Sequence, residues 1–349
     1  CANELALVLT AKKSLRLLNQ RSAKNLSKPF LRAARIEDLE SIAGLLTAVF
    51  GYDGIPIVQT ATELEEEFVA PCCTIENDVM VVQLEEKLIG VAYTYFLPSE
   101  SKEERCYVFG GVLPEFRQQG VGTELMTWAV QHGESLLRAT GRTLPKYLRT
   151  DVSQQNESAV RLFAKFGMKP VRFEEDMIRE LNNLPEVNVN QKYVIAPWDL
   201  ARNEEARNVK NLAFQDHWGS TPTSSEHWLQ MVNGSTARLD HSFFAVNQQQ
   251  EIVGLLLTHR FESDDELLGK RIGWIDKLAT LAEHRKQSIA KNLITHAWHS
   301  YAKDGFTHAA LTVDTENPTG AYGLYASLGF QLYRGKITHE LQVDPVPSA

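Results

Sequence analysis

The segment 117–122 combines residue types that can hold a phosphate group. An arginine is followed by two glycines one residue apart, Gly120 and Gly122, and a helix-like apolar pattern begins directly after them. Glycines let the backbone approach a ligand closely, and the free N–H groups and dipole at a helix start attract an anion such as a pyrophosphate. A glycine-containing helix entry without a ligand would show the same short pattern. The residues of this predicted cradle are Arg117, Gln118, Gln119, Gly120, Val121 and Gly122.

Two ten-residue segments share one pattern of small, apolar and aromatic residues. Residues 159–168 (AVRLFAKFGM) and 321–330 (AYGLYASLGF) place alanine, leucine, an aromatic residue and glycine at the same spacing, 162 residues apart. An asparagine precedes each segment, Asn156 in the first and Asn317 in the second. A repeat of this kind indicates two similar structural units in one chain.

The elements that would position these motifs also repeat. In each half a short strand leads into an acidic amphipathic helix, a pair of strands follows, and a long strand, an Arg-rich turn, a helix and a further strand complete the order. The predicted elements of the first half are 31–34, 36–50, 79–84, 88–96, 106–113, 123–138 and 147–152. Those of the second half are 192–196, 200–214, 243–246, 252–258, 272–281, 289–303 and 308–313. The sequence therefore predicts an α/β protein with a mixed sheet and helices in each half.

Length and composition agree with this division. A chain of 349 residues is long enough for two domains, and its 43% hydrophobic and 23% charged residues are typical of a globular protein. We expect a disordered basic leader (1–28), an N-terminal domain (29–180), an Asn- and Pro-containing linker (181–191) and a C-terminal domain (192–343).

Charge, apolar runs and cysteines exclude several classes of protein. A net charge of −8 argues against nucleic-acid binding, which needs a basic face. No run approaches the roughly 18 apolar residues of a membrane span. Four cysteines, two of them adjacent, are too few for a disulfide framework, so we expect a cytoplasmic protein. We expect it to be a monomer or a homodimer.

The whole constellation resembles the GNAT superfamily of acetyl-CoA-dependent N-acyltransferases. In both halves a strand, an Arg-rich turn (Arg-x-x-Gly-x-Gly in the first half), a helix, a strand and Asn followed by the aromatic–glycine pattern occur in this order, from near Leu31 to near Leu341. Two tandem copies look most like the mycothiol synthase-like branch. The resemblance implies a tandem GNAT fold, acetyl-CoA as co-substrate and no metal.

The resemblance assigns the proton chemistry to the second half. Tyr325 falls where the family has the tyrosine that protonates the departing thiolate, and Asp276 lies nine residues before Arg285, where some relatives place a carboxylate base. Backbone N–H groups near Leu278 to Thr280 would stabilise the oxyanion. Tyr325 could instead only pack beneath a helix, and Asp276 could only pair with Lys277.

The resemblance divides coenzyme binding between two unequal cradles. The first half keeps both glycines, but it has Phe163 and Val108 at the two catalytic positions, so we expect it to bind coenzyme without catalysis. The second cradle replaces the glycines by Ser288 and Ala290, and the added Cβ of the serine would lie against the phosphates. The coenzyme-binding residues expected besides the first cradle are Asn156, Leu278, Thr280, Arg285, Lys286, Gln287, Ser288, Ile289, Ala290 and Asn317.

Four further side chains admit a functional or a purely structural interpretation. His217 and Trp218 could shape an acceptor pocket, although an aromatic helix end more often packs into the core. His296 and His299 lie three residues apart on a helix; without a third ligand in view, we interpret them as surface residues and predict no metal site.

These expectations lead to two functions of different class. One is an acetyl-CoA-dependent N-acetyltransferase that acts on a primary amine of a small molecule by direct attack. The other is a non-catalytic acetyl-CoA sensor or interaction protein whose second domain has degenerated. The acidic composition suggests a cationic acceptor, since a negative field concentrates cations. Acylation of protein amines would need an open peptide groove.

Overall fold

The computed structural model describes residues 28–69, 72–187, 192–316 and 320–343. The predicted leader, apart from its last residue, the linker residues 188–191 and Asn317 lie outside the described residues. The described chain is an α/β structure with a mixed parallel and antiparallel sheet, as the sequence predicts. No helix within these ranges is both long and apolar enough to cross a membrane.

The first half contains six strands and five α-helices among its described residues. The strands are β1 (Phe30–Ala33), β2 (Val79–Leu84), β3 (Lys87–Leu97), β4 (Glu104–Val112), β5 (Lys146–Ser153) and β6 (Lys169–Glu180). The helices are α1 (Leu39–Tyr52), α2 (Ala61–Glu67), α3 (Ile75–Asp78), α4 (Val121–Ala139) and α5 (Glu157–Lys165). The helix predicted at 36–50 is a 3₁₀ turn, Ile36–Asp38, that continues into α1.

The second half repeats this order. Its strands are β7 (Tyr193–Pro197), β8 (Phe243–Asn247), β9 (Ile252–His259), β10 (Ile272–Thr280), β11 (His308–Asp314) and β12 (Gln331–Gln342). Its helices are α6 (Asn203–Ala213), α7 (Ser225–Asn233), α8 (Glu262–Leu268), α9 (Ile289–Lys303) and α10 (Ala321–Ser327). The helix predicted at 289–303 has the bounds of α9.

All described strands form one twelve-stranded sheet, in the order β1-β2-β3-β4-β5-β12-β6-β11-β10-β9-β8-β7. The last strand of each half therefore lies in the sheet of the other half: β12 pairs with β5, and β6 pairs with β11. The two exchanged strands are antiparallel neighbours at the centre, from Gln331 opposite Ile178 to Glu340 opposite Lys169. The expected domain boundaries at 180 and 192 assign β6 to the first domain and β12 to the second, so this exchange was not predicted.

In each half, one pair of parallel strands separates partway along its length. β4 and β5 are paired only from Glu104 to Tyr107, and β10 and β11 only from Ile272 to Ile275. On their other sides, β4 pairs with β3 and β10 pairs with β9, and both of these pairs are antiparallel. Each half therefore has a V-shaped opening in the sheet, directly before the Arg-rich turn.

A glycine on the neighbouring strand lets the following helix pack tightly behind each opening. A Cβ added at Gly90 of β3 would lie 2.9 Å from Leu125 and 3.0 Å from Val121 of α4. A Cβ added at Gly254 of β9 would lie 2.9 Å from Ile289 of α9. The close contact fixes the start of each helix against the sheet.

Candidate active site

A cleft of about 1160 Å³ opens where β10 and β11 separate. Its walls come from β10, β11, α10, the turn before α9 and the segment that follows α6, and the first half contributes Arg105 on β4. The residues predicted from the sequence that line it are His217, Trp218, Asp276, Leu278, Thr280, Arg285, Lys286, Ser288, Ile289, Ala290 and Tyr325. Residues that are more than 100 positions apart in the chain thus meet in one cavity.

The second cradle keeps the backbone shape of the first despite its serine. Ser288 has a φ of 63°, in the left-handed region, and Gly120 has 93°. Two residues earlier, Lys286 has a φ of 60° and Gln118 has 59°. A non-glycine residue in this conformation costs about 1–2 kcal/mol. The replacement of glycine by serine therefore keeps the orientation of the backbone N–H groups at some cost in stability.

Contacts with three neighbouring elements anchor this turn. The Arg285 guanidinium donates to the carbonyl of Thr280 at 3.3 Å and to that of Ala213, at the end of α6, at 3.0 Å. The carbonyl of Gln287 accepts a hydrogen bond from the Tyr193 hydroxyl at 3.2 Å. Gln287, expected to bind coenzyme, does not line the cleft, so its observed contact is structural.

Tyr325 lies on α10 with its ring partly buried against the core and its surface on the cleft. The ring meets Phe330 edge to face, with centroids 6.0 Å apart. Burial raises the pKa of Tyr325 to about 12, so the phenol stays protonated at neutral pH. No hydrogen bond to its hydroxyl occurs among the described residues. The hydroxyl is therefore available to donate to a ligand.

Asp276 lies at a β-bulge in β10, where the register shifts between Ile275 and Lys277. Its carboxylate is about one-third exposed and accepts from the Lys277 ammonium at 2.9 Å. His259 Nε2 lies 3.8 Å from the other carboxylate oxygen. Although burial opposes ionisation, Lys277 and His259 hold the pKa of Asp276 below its usual value. The expected ion pair with Lys277 is present, and the carboxylate still faces the cleft.

The first cradle does not line this cleft, and its arginine already has an anionic partner. Both terminal nitrogens of Arg117 contact the Asp53 carboxylate, at 2.7 and 3.0 Å. The Asn156 amide donates to the same carboxylate at 3.0 Å, and its oxygen caps α5. Phe163 is buried beside His339, with ring centroids 5.5 Å apart. A phosphate bound here would meet the fixed negative charge of Asp53.

The two aromatic residues expected at the acceptor pocket have different surroundings. The Nδ1 of His217 lies 2.9 Å from the carbonyl of Trp218. The ring of Trp218 lies beneath two arginines of the first half, 4.3 Å from the Arg149 guanidinium and 5.1 Å from that of Arg172. Trp218 therefore lines the cleft and also joins the two halves.

Among the cleft residues that we did not predict are Arg105 on β4, Lys210 on α6 and His227 on α7. Lys210 follows Val209 on the buried face of α6, in the apolar spacing 206, 209, 210 and 213. A lysine on an apolar helix face is a signal that the sequence contained. Burial, and then the charge of Lys277, lower the pKa of Lys210 to about 8.

Three potential metal ligands lie close together, and neither His296 nor His299 is among them. Ligand atoms of Asp240, His241 and Asp304 come within 4.8 Å of one another. Arg238 donates to Asp240 at 2.7 Å, so this carboxylate already has a partner in an ion pair. His296 packs edge to face on Phe243 with centroids 4.8 Å apart, so it is half-buried rather than a surface residue.

Comparison with known proteins identifies the family of both halves. The model of the acetyltransferase (GNAT) family matches residues 40–168 and again residues 203–330. No curated protein matches the sequence.

Solved structures share the arrangement over nearly the whole chain. A GCN5-related N-acetyltransferase from Sphaerobacter thermophilus has a TM-score of 0.69 at 22% identity, covering 91% of this chain and 96% of that one. A tandem GNAT protein from the clavulanic acid biosynthesis pathway has a TM-score of 0.66 at 15% identity, covering 91% and 100%. A GCN5-related glucosamine N-acetyltransferase region of a fungal multi-domain GH3 β-N-acetylglucosaminidase has a TM-score of 0.67 at 16% identity, covering 90% and 38%.

The two family matches fall on the two repeats of the sequence, and each includes one Arg-rich turn and one aromatic–glycine segment. The family uses acyl-CoA to acylate amines, and the cleft of the second half contains a preserved cradle, a protonated phenol and a carboxylate. This chain belongs to the GNAT acetyltransferase family, as a tandem protein with acyl-CoA-dependent N-acyltransferase activity.

Proposed function

We propose that the protein is an N-acetyltransferase that moves the acetyl group of acetyl-CoA to a primary amine of a small molecule, and that the second half is catalytic. The observation that carries this proposal is the meeting of Tyr325, Asp276 and the turn 285–290 in one cleft. The corresponding turn of the first half is ion-paired with Asp53 and has Phe163 in place of the phenol. Coenzyme binding by the first half remains a prediction.

The cleft of the second half has groups that can bind the phosphates and the thioester arm of acetyl-CoA. Lys286 and Ser288 have left-handed backbone conformations directly before α9, where the free N–H groups and the helix dipole favour an anion. Lys286 and Lys291 add positive charge to the same wall of the cleft. Thr280 has a buried hydroxyl without a partner among the described residues, so it can bind a polar group of the arm.

In the proposed reaction the thioester supplies the acetyl group, and the protein positions the amine and moves two protons. Asp276 stays ionised because its pKa is lowered, so it attracts the acceptor ammonium. It receives the proton through a water as the amine attacks. A backbone N–H near Leu278 to Thr280, on the part of β10 that does not pair with β11, stabilises the oxyanion.

The Tyr325 hydroxyl then donates to the departing thiolate. With a pKa raised to about 12, the phenol is a weak acid but a permanent hydrogen-bond donor. It therefore stabilises the developing negative charge on sulfur and delivers its proton late in the step, and the second proton lost by the acceptor nitrogen restores the phenol through water.

The Tyr325→Phe variant tests this assignment. We expect kcat to fall by about 10²–10⁴-fold, the usual contribution of one acid or base. The Kd of acetyl-CoA should stay the same, because the phenol is assigned to the thiolate and not to the phosphates. The measurement is amine-dependent release of CoA, followed with a thiol reagent across a panel of small amines. Asp276→Asn should lower kcat/KM in the same assay.

Tyr322→Phe is the matched control, since it removes a phenol from the exposed side of the same helix. A kcat of Tyr325→Phe within threefold of the wild type would remove the acid role. Tight acetyl-CoA binding without turnover on any amine would support the alternative, a coenzyme sensor.

A further inference from the structure

A buried lysine on the acceptor side of the cleft has no acidic partner. Lys210 is 5% exposed and lines the cleft from α6. Its ammonium donates to the Thr223 hydroxyl at 2.5 Å and to the Asn211 side-chain oxygen at 3.4 Å. No carboxylate of the described chain lies within 4.0 Å of it. A buried ammonium without a counter-ion lowers the stability of the fold. We therefore look for a functional role of Lys210 in the cleft.

Arg105 brings a second positive charge to the same place from the other half. It is 8% exposed, and one terminal nitrogen donates to the Thr221 hydroxyl at 2.8 Å. Its Nε has no hydrogen-bond partner among the described residues. The nearest carboxylate, Glu103, is 3.7 Å away and binds Arg149 more closely, at 2.7 Å. Arg105 therefore keeps part of its hydrogen-bonding capacity for another group.

The two cations are close enough to repel each other. They hold hydroxyl groups two residues apart in one loop, Thr221 and Thr223, and the charges of both Arg105 and Lys277 act on Lys210. Lys277 is paired with Asp276, whereas Lys210 has only neutral acceptors. Lys210 therefore brings a positive charge to this end of the cleft that no carboxylate within 4.0 Å balances among the described residues.

We propose that Lys210 and Arg105 bind an anionic oxygen group, a carboxylate or a phosphate, of the acceptor amine. The acceptor is then a zwitterion whose ammonium lies at Asp276 and whose anion lies between the two cations. This inference rests on the proposed function, and it replaces the expectation of a cationic acceptor. Net charge describes the whole surface, but the charge within a pocket decides which group binds there.

The test measures binding rather than turnover. The CoA-saturated protein is titrated calorimetrically with matched pairs of probes: β-alanine and β-alaninamide, glutamate and glutamine, and phosphoethanolamine and ethanolamine. We expect at least one probe to bind about tenfold more tightly than the partner that lacks its additional carboxylate or phosphate, and the carboxylate and phosphate pairs to show which group is preferred. Lys210→Met should abolish the preference, and Lys210→Arg should keep part of it.

Lys165→Met is the control, because it removes one positive charge from an exposed position on α5. At pH 8 the anion should also cause proton uptake, since it raises the lowered pKa of Lys210; two buffers of different ionisation enthalpy measure this.

Equal binding within all pairs, no binding of any probe, or a preference that survives in Lys210→Met would overturn the inference. Failure of the proposed function is a separate result, because it would abolish amine-dependent CoA release while leaving the binding preference intact.

Discussion

Ser288 shows how a substitution that breaks the family pattern can preserve its geometry. The residue adopts the left-handed conformation that Gly120 adopts in the first half. Its carbonyl still accepts from the N–H of Asn292, so α9 begins normally. The backbone of the cradle is thus set by its surroundings, and the serine side chain is tolerated.

Substitutions at Ser288 and Gly120 test which cradle binds coenzyme. Ser288→Gly should change the acetyl-CoA Kd by less than about threefold, whereas Ser288→Val should raise it by more than about tenfold, because a β-branched residue disfavours positive φ. Gly120→Val should lower the free energy of unfolding by about 1–2 kcal/mol and leave the Kd of the second-half site unchanged. Calorimetric titration and denaturant unfolding measure these quantities. An equal loss of affinity in Gly120→Val would place the coenzyme in the first half.

At the scale of elements, three neighbours set the position of the cradle: β9, β10 and α9. Gly254 of β9 lies so close to them that an added Cβ would be 2.9 Å from the Ala279 carbonyl and 2.9 Å from Ile289. Ile289 is the first residue of α9 and lines the cleft. Any increase in volume at Gly254 therefore displaces the start of the helix.

Gly254→Ala should lower the free energy of unfolding by about 1–3 kcal/mol, as overpacking usually does, and should weaken acetyl-CoA binding. Gly90→Ala is its counterpart in the first half, where the Cβ would meet Leu125 and Val121. It should cost similar stability without changing the acetyl-CoA Kd. If both variants weakened binding equally, the effect would come from general loosening and not from the second cradle.

At the scale of the whole molecule, strand exchange makes the two halves one structure. β6 completes the sheet of the second half, and β12 completes that of the first. Further contacts cross between the halves, including Asp264 to the N–H of Val58 at 2.7 Å and Glu66 to that of Ser235 at 2.9 Å. The second cleft contains Arg105 of the first half. The first half therefore contributes Arg105 to the cleft of the second half and β6 to its sheet.

Residues 28–187 and 192–343, expressed separately, should each fail to unfold cooperatively, because each lacks the exchanged strand of the other. The complete chain should give one transition in thermal unfolding followed by circular dichroism. Mixing the two fragments should restore part of the native signal. A cooperative transition in either isolated fragment would show that strand exchange is not needed for its stability.

Much of the site could be predicted because the relevant residues lie within short segments. The Arg-rich turns and the aromatic–glycine segments each span about ten residues, so local spacing reveals them. The structure places Arg285, Ser288 and Tyr325 in one cleft, and their roles there stay predictions. The bounds of α9 and β2 follow from the apolar patterns of these two segments.

What the sequence by itself determined was the repeat, the order of elements in each half and the residues that can donate or accept a proton, because these depend on local spacing. Only the tertiary structure decided which charges meet. The pairing of Arg117 with Asp53, the burial of Lys210 and the approach of Arg105 join residues far apart in the chain. Sheet order has the same origin: β6 and β12 have similar patterns, and their exchange depends on long-range hydrogen bonding that no local pattern records.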